Sequence, residues 1–117
     1  MNDLSNRLLI FAINVIKFLR KLLNTPEYKV VKYQLIKSST SSGANYEEAQ
    51  GASSKADFTN KVRISLKEMR ETNFWLRIIK GINTNEKLND EIDNLVKESQ
   101  ELKNILGSIC AKTNRKK

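Results

Sequence analysis

With 117 residues, 21 lysines and arginines against 13 acidic residues, and a net charge of +8, the chain has room for one basic domain and no second core. It contains no histidine, which removes the usual general base, the usual zinc ligand and the Glu-x-x-His motif of di-iron bundles, so an enzyme is not expected and neither is a metal or other cofactor. One cysteine, Cys110, makes no internal disulfide and fits a reducing cytoplasm, while four glycines and one proline supply too few turns for a β-sandwich or barrel.

The first element reads as a helix over 4–23, where Leu4, Leu8, Phe11, Val15, Phe18 and Leu22 recur at steps of three and four. Its run of apolar residues from Leu8 to Ile16 is closed by Lys17 and falls short of the roughly 20 residues a membrane-spanning helix needs. Lys17, Arg20 and Lys21 occupy the place where a signal peptide would carry its small-residue cleavage site. A membrane-surface role for this helix ranks behind packing, because the same face is needed for a core.

Thr25 as N-cap, Pro26 at the first helical position and Glu27 in the first turn mark the start of helix two. Ser38, Ser39, Thr40, Ser41, Ser42 and Gly43 then read locally as a Ser-rich linker. Against that, Val31, Leu35, Ser38, Ser42, Asn45 and Ala49 keep the helical step straight through the run, to about Gln50. Each serine hydroxyl can also bond the carbonyl one turn back. The residues alone leave the two readings level.

Residues 51–53 form the next turn, and Ser54 with Asp57 opens helix three as a capping box. Its stripe is Phe58, Val62, Ser65, Met69, Thr72, Leu76 and Ile79. Trp75 and Ile78 widen the apolar face beyond what one neighbouring helix needs, which marks them as candidate oligomer contacts. Gly81 is the expected stop. Thr84 is the expected cap of helix four, whose stripe is Leu88, Ile92, Leu95, Ser99, Leu102, Leu106 and Ile109, with Cys110 as a small buried hydrophobe. Four long helices on short connections predict an all-α, antiparallel up-down-up-down four-helix bundle over 1–111, with a basic, disordered tail at 112–117.

Charge is unevenly spread. Residues 17–37 hold six basic side chains (Lys17, Arg20, Lys21, Lys29, Lys32 and Lys37) against Glu27, a local +5, whereas 84–104 hold three basic and six acidic residues, a local −3. A basic face attracts phosphate backbones through counterion release without a sequence code, so those six residues are the candidate RNA or DNA contacts. Solvated charge, or basic ends of one copy meeting the acidic fourth helix of another, accounts for the same pattern.

From Gln34 onward the text QLIKSSTSSGANYEEAQGASSKADF, followed by KVRISLKEMRETNFWL, resembles the bacterial four-helix bundle proteins encoded in intervening sequences of 23S ribosomal RNA genes. The match is close over 34–76 and weaker over helix one, about two thirds of the chain in all. The resemblance implies a helical bundle with a continuous second helix and a homopentameric, self-associating assembly. It also implies kinship with the accessory variability determinants of retroelements, basic pentamers that work with a reverse transcriptase and nucleic acid. Ser42 departs from the family, which places an apolar residue there, and Ser65 stands where alanine is common, so looser packing is expected at that level. Asn45, Glu48, Glu68 and Glu71 match the family motif and would form a polar layer between helices two and three that fixes register. The expected function is a non-catalytic bundle that binds RNA or DNA as an accessory to a nucleic-acid-processing enzyme. The rival is a structural or protein-interaction module.

Overall fold

The computed structural model describes residues 3–114, which form α1 (Asp3–Leu19), α2 (Pro26–Ala49), α3 (Lys55–Ile82) and α4 (Asn89–Asn114), with a 3-10 turn at Glu86–Leu88 leading into α4. Side-chain bonds between the helices give their directions. Ser42 meets Ser65 and Ser38 meets Thr72, so α2 and α3 are antiparallel; Asn73 meets Ser99 and Lys80 meets Asp93, so α3 and α4 are antiparallel. Arg7 reaches Glu98 and Lys21 reaches Glu91, closing α4 back onto α1. The result is an up-down-up-down bundle 48 Å long and 24 by 20 Å across.

The predicted stripes are the core. Leu8, Phe11, Val15 and Phe18 of α1, Val62, Met69, Leu76 and Ile79 of α3, and Ile92, Leu102 and Leu106 of α4 are almost wholly buried. Thr25 Oγ1 accepts the Tyr28 N–H at 3.4 Å with Pro26 in the first turn. Ser54 Oγ accepts the Asp57 N–H at 3.0 Å, and Asp57 answers by accepting the Ser53 N–H at 3.1 Å. That backbone bond, then Lys61, holds the Asp57 carboxyl below its usual pKa.

Boundaries differ in three places. Helix α1 ends at Leu19 rather than 23, because the turn toward α2 tightens into three-residue bonds from the Lys21 and Leu22 amides, and Lys32 Nζ caps the Leu22 carbonyl at 3.0 Å. Gly81 does not stop α3, which continues to Ile82; none of the described glycines has a positive φ. Thr84 is not the cap of α4. Asn83 instead accepts the Asn85 N–H, and Asn85 accepts the Lys87 N–H, so the chain enters α4 through a 3-10 turn. Of the expected tail, Lys112, Thr113 and Asn114 continue α4, while 115–117 lie outside the described residues.

The Ser-rich run is helix. Ser38, Ser39 and Ser42 are fully buried within α2, where Ser38 meets Thr72 and Ser42 meets Ser65 of α3. Ser39 and Thr40 bond the Ile36 carbonyl, whereas Ser42 Oγ donates to the Ser65 carbonyl at 2.8 Å and Ser65 Oγ donates to the Ser42 carbonyl at 2.7 Å. Packing at this level is therefore not loosened: two hydroxyls too small to hold the backbones apart clasp them reciprocally. The structure does not bring Asn45, Glu48, Glu68 and Glu71 together as a layer. Among the described residues, Asn45 bonds Ser41 one turn back and Glu71 accepts the Trp75 indole N–H at 3.0 Å, while Glu48 is exposed. Burying carboxylates without cations is too costly, and neutral hydroxyls take the seam instead.

Candidate nucleic-acid interface

Of the six basic residues predicted to meet phosphates, two are committed to the fold. Lys21 Nζ donates to Glu91 Oε1 at 2.8 Å, and Lys32 Nζ donates to the Leu22 carbonyl at 3.0 Å and to Asn24 Oδ1 at 2.7 Å, tying α2 to the end of α1. Lys17, Arg20, Lys29 and Lys37 are exposed and take part in none of the ion pairs found among the described residues. Lys29, Tyr33 and Lys37 stand one helical turn apart on the outer face of α2, Tyr33 is 62% exposed, and the Lys37 ammonium lies 5.7 Å from its ring centre.

The candidate oligomer contacts Trp75 and Ile78 are half-buried and pack against the chain's own core. A larger apolar surface, unmarked by the helix stripes, lies elsewhere. Leu9, Ile10 and Ile13 project from α1 and Ile36 from α2, all at least 40% exposed. Leu9, Ala12, Ile13 and Ile16 line a groove of about 930 Å³ against Gly43 and Ala44 of α2. The signal was present in the sequence: α1 is apolar nearly all round from Leu8 to Ile16, more than one buried stripe requires.

Among the described residues no cluster of three or more His, Cys, Asp or Glu could hold a metal ion, and no helix is long and apolar enough to cross a membrane. Cys110 is buried, and desolvation, only partly offset by Arg63 and Arg70, raises its thiol pKa.

A small basic up-down-up-down bundle with a hydroxyl-lined seam between its second and third helices is the class that this fold and surface define. The chain belongs to the 23S rRNA-intervening sequence protein family, whose sequence profile matches residues 3–108. It is similar to a crystal structure of a protein with unknown function from the S23 ribosomal protein family of Bacteroides thetaiotaomicron VPI-5482, with 33% identity, a TM-score of 0.81, and coverage of 92% of this chain and 97% of that one. No match is found among curated proteins.

Proposed function

We propose that this chain is a non-catalytic, self-associating helical bundle of the cytoplasm that binds RNA or DNA through its basic surface and serves a larger nucleic-acid-processing enzyme, such as a reverse transcriptase, as an accessory. The observation that carries the binding reading is the set Lys17, Arg20, Lys29 and Lys37, exposed and in none of the ion pairs among the described residues, with the exposed Tyr33 between Lys29 and Lys37 on α2. Unpaired cations on a rigid scaffold contribute counterion-release affinity that a neutralised surface lacks. Self-association is supported by the α1–α2 groove, where exposed Leu9 and Ile13 would leave water on meeting another copy. The family's name, 23S rRNA-intervening sequence protein, is consistent with a nucleic-acid partner.

The test is fluorescence anisotropy with labelled RNA and DNA over a salt series, with mass recorded by light scattering on the same sample. Binding that falls steeply with salt, by a particle heavier than one chain, is the expected result. No binding at low salt by an intact oligomer would leave a protein-interaction module as the better reading. The mass of one chain would remove the self-association.

A further inference from the structure

The outer face of α3 carries a row that the reading of charge by segment passed over. Arg63, Lys67, Arg70, Phe74 and Arg77 follow one another at steps of three and four, and every one is exposed. At 1.5 Å per residue the row is about 21 Å long. The acidic residues of α3 lie off it: Asp57 is held by Ser53 and Lys61, Glu71 takes the Trp75 indole N–H, and Glu68 is half-buried on the flank.

Two features set this row apart from ordinary solvated charge. First, Arg77 is positioned by a buried relay. Its Nε donates to Asn73 Oδ1 at 2.9 Å; Asn73, only 3% exposed, donates from Nδ2 to Ser99 Oγ at 2.9 Å, and Ser99 donates to the Val96 carbonyl at 2.7 Å. An amide in an α3–α4 interface that is otherwise mostly apolar is costly unless satisfied. Here it fixes one edge of the guanidinium and leaves the two terminal amino groups to meet a ligand. A groove of about 750 Å³ runs beside it, with Lys97 and Lys103 of α4 on its wall; the groove's acids, Asp93 and Glu101, are engaged by Lys80 and Arg7. Second, Phe74 is 48% exposed in the middle of the cations, braced edge-on by Trp75 at 5.3 Å, with the Arg77 guanidinium 6.0 Å from its ring centre.

We infer that this face is a track for single-stranded nucleic acid, with phosphates on Arg63, Lys67, Arg70 and Arg77 and a base stacked on Phe74. An exposed ring among cations serves unstacked bases, since a duplex keeps its base faces covered and would use the cations alone. The inference rests on the reading that the chain binds nucleic acid, and it adds a face and a kind of strand.

The experiment titrates the full chain with labelled oligo(dT) and oligo(U) of about twelve nucleotides, and with a duplex of equal length, by anisotropy over a salt series. Trp75 is the chain's single tryptophan, so its emission reports on the Phe74 site. The single strands should bind more tightly than the duplex and quench Trp75. Phe74→Ala should weaken single-strand binding about fivefold or more with the salt slope unchanged. Arg70→Gln with Arg77→Gln should reduce the slope of log K against log salt by about 1.4, near 0.7 per lost phosphate contact. All these side chains are exposed, and circular dichroism confirms the fold of each variant. Equal affinity for duplex and single strand with Phe74→Ala silent, or an unchanged slope in the arginine variant, overturns the track. If Lys29→Gln with Lys37→Gln abolishes binding while the α3 variants bind normally, the track falls and nucleic-acid binding stands. If no oligonucleotide binds at low salt, both fall.

Discussion

The Ser42–Ser65 clasp makes a prediction whose sign is not obvious from helix propensity. Both residues are 0% exposed, their hydroxyls lie 3.2 Å apart, and each donates to the other's carbonyl. Ser42→Val removes one such bond, worth about 1 kcal/mol net, and adds carbon where Ser65 Oγ already stands, an overpacking cost of about 1–3 kcal/mol. The total is about 2–4 kcal/mol. At about 2.1 cal/mol/K of unfolding entropy per residue, a chain of 117 residues should lose about 4 °C of Tm per kcal/mol, so the midpoint should fall by about 8–16 °C. Ser65→Ala alone loses one bond of about 1 kcal/mol and regains about half of that through helix propensity. Combined with Ser42→Val, it also vacates the contested volume, so the double variant should be more stable than Ser42→Val by about 1 kcal/mol or more. The assay is thermal and urea unfolding of the four proteins at one fixed concentration, because association would shift every midpoint. Strictly additive costs, or a Ser42→Val protein within about 0.5 kcal/mol of the parent, would refute the clasp.

Three further outcomes are expected. The Arg7–Glu98 pair, two-pronged at 3.0 and 2.6 Å and partly exposed, should show a coupling of about 0.5–1 kcal/mol in a double-mutant cycle with alanine that shrinks at high salt; a salt-independent coupling would point to packing instead. Gly107 sits inside α4 with nothing within 4 Å of a built Cβ, so Gly107→Ala should raise stability by about 0.5–1 kcal/mol in urea unfolding, and a loss would mean that the open side is occupied by another copy. The Cys110 thiol, buried and shifted up by desolvation, should react with a disulfide reagent at mildly alkaline pH far more slowly in the folded chain than in denaturant. Equal rates would show that the end of α4 opens.

The fold was legible because its signals agree across levels: the buried stripes, the Thr25-Pro26 start and the Ser54-Asp57 start all reappear at their predicted positions. Boundaries were harder where local chemistry competes. Thr84 and Asn85 are both good caps, and only the Asn83–Asn85 bond decides between them. The Ser-rich run was ambiguous because serine's hydroxyl serves a linker and a buried seam equally well. What separates the two is a second helix bringing Ser65 and Thr72 within bonding distance, and that information sits 23 to 34 residues away.

The surface was less legible, and for a different reason. Counting charge along a window rewards clusters, so residues 17–37 stood out although Lys21 and Lys32 are tied into the fold. A count along α3 gives seven basic residues against three acidic ones, a net of +4, but Glu68 and Glu71 are interleaved with Arg63, Lys67, Arg70 and Arg77, so the count does not show that the cations share one face. A helix separates what a window mixes: with 3.6 residues per turn, steps of three, four and seven collect on one face while their neighbours turn away. Charge read at helical period rather than along a window therefore brings out the α3 row, and Asn73 accounts for the one feature that period cannot supply, a polar side chain in the interface holding Arg77 in place.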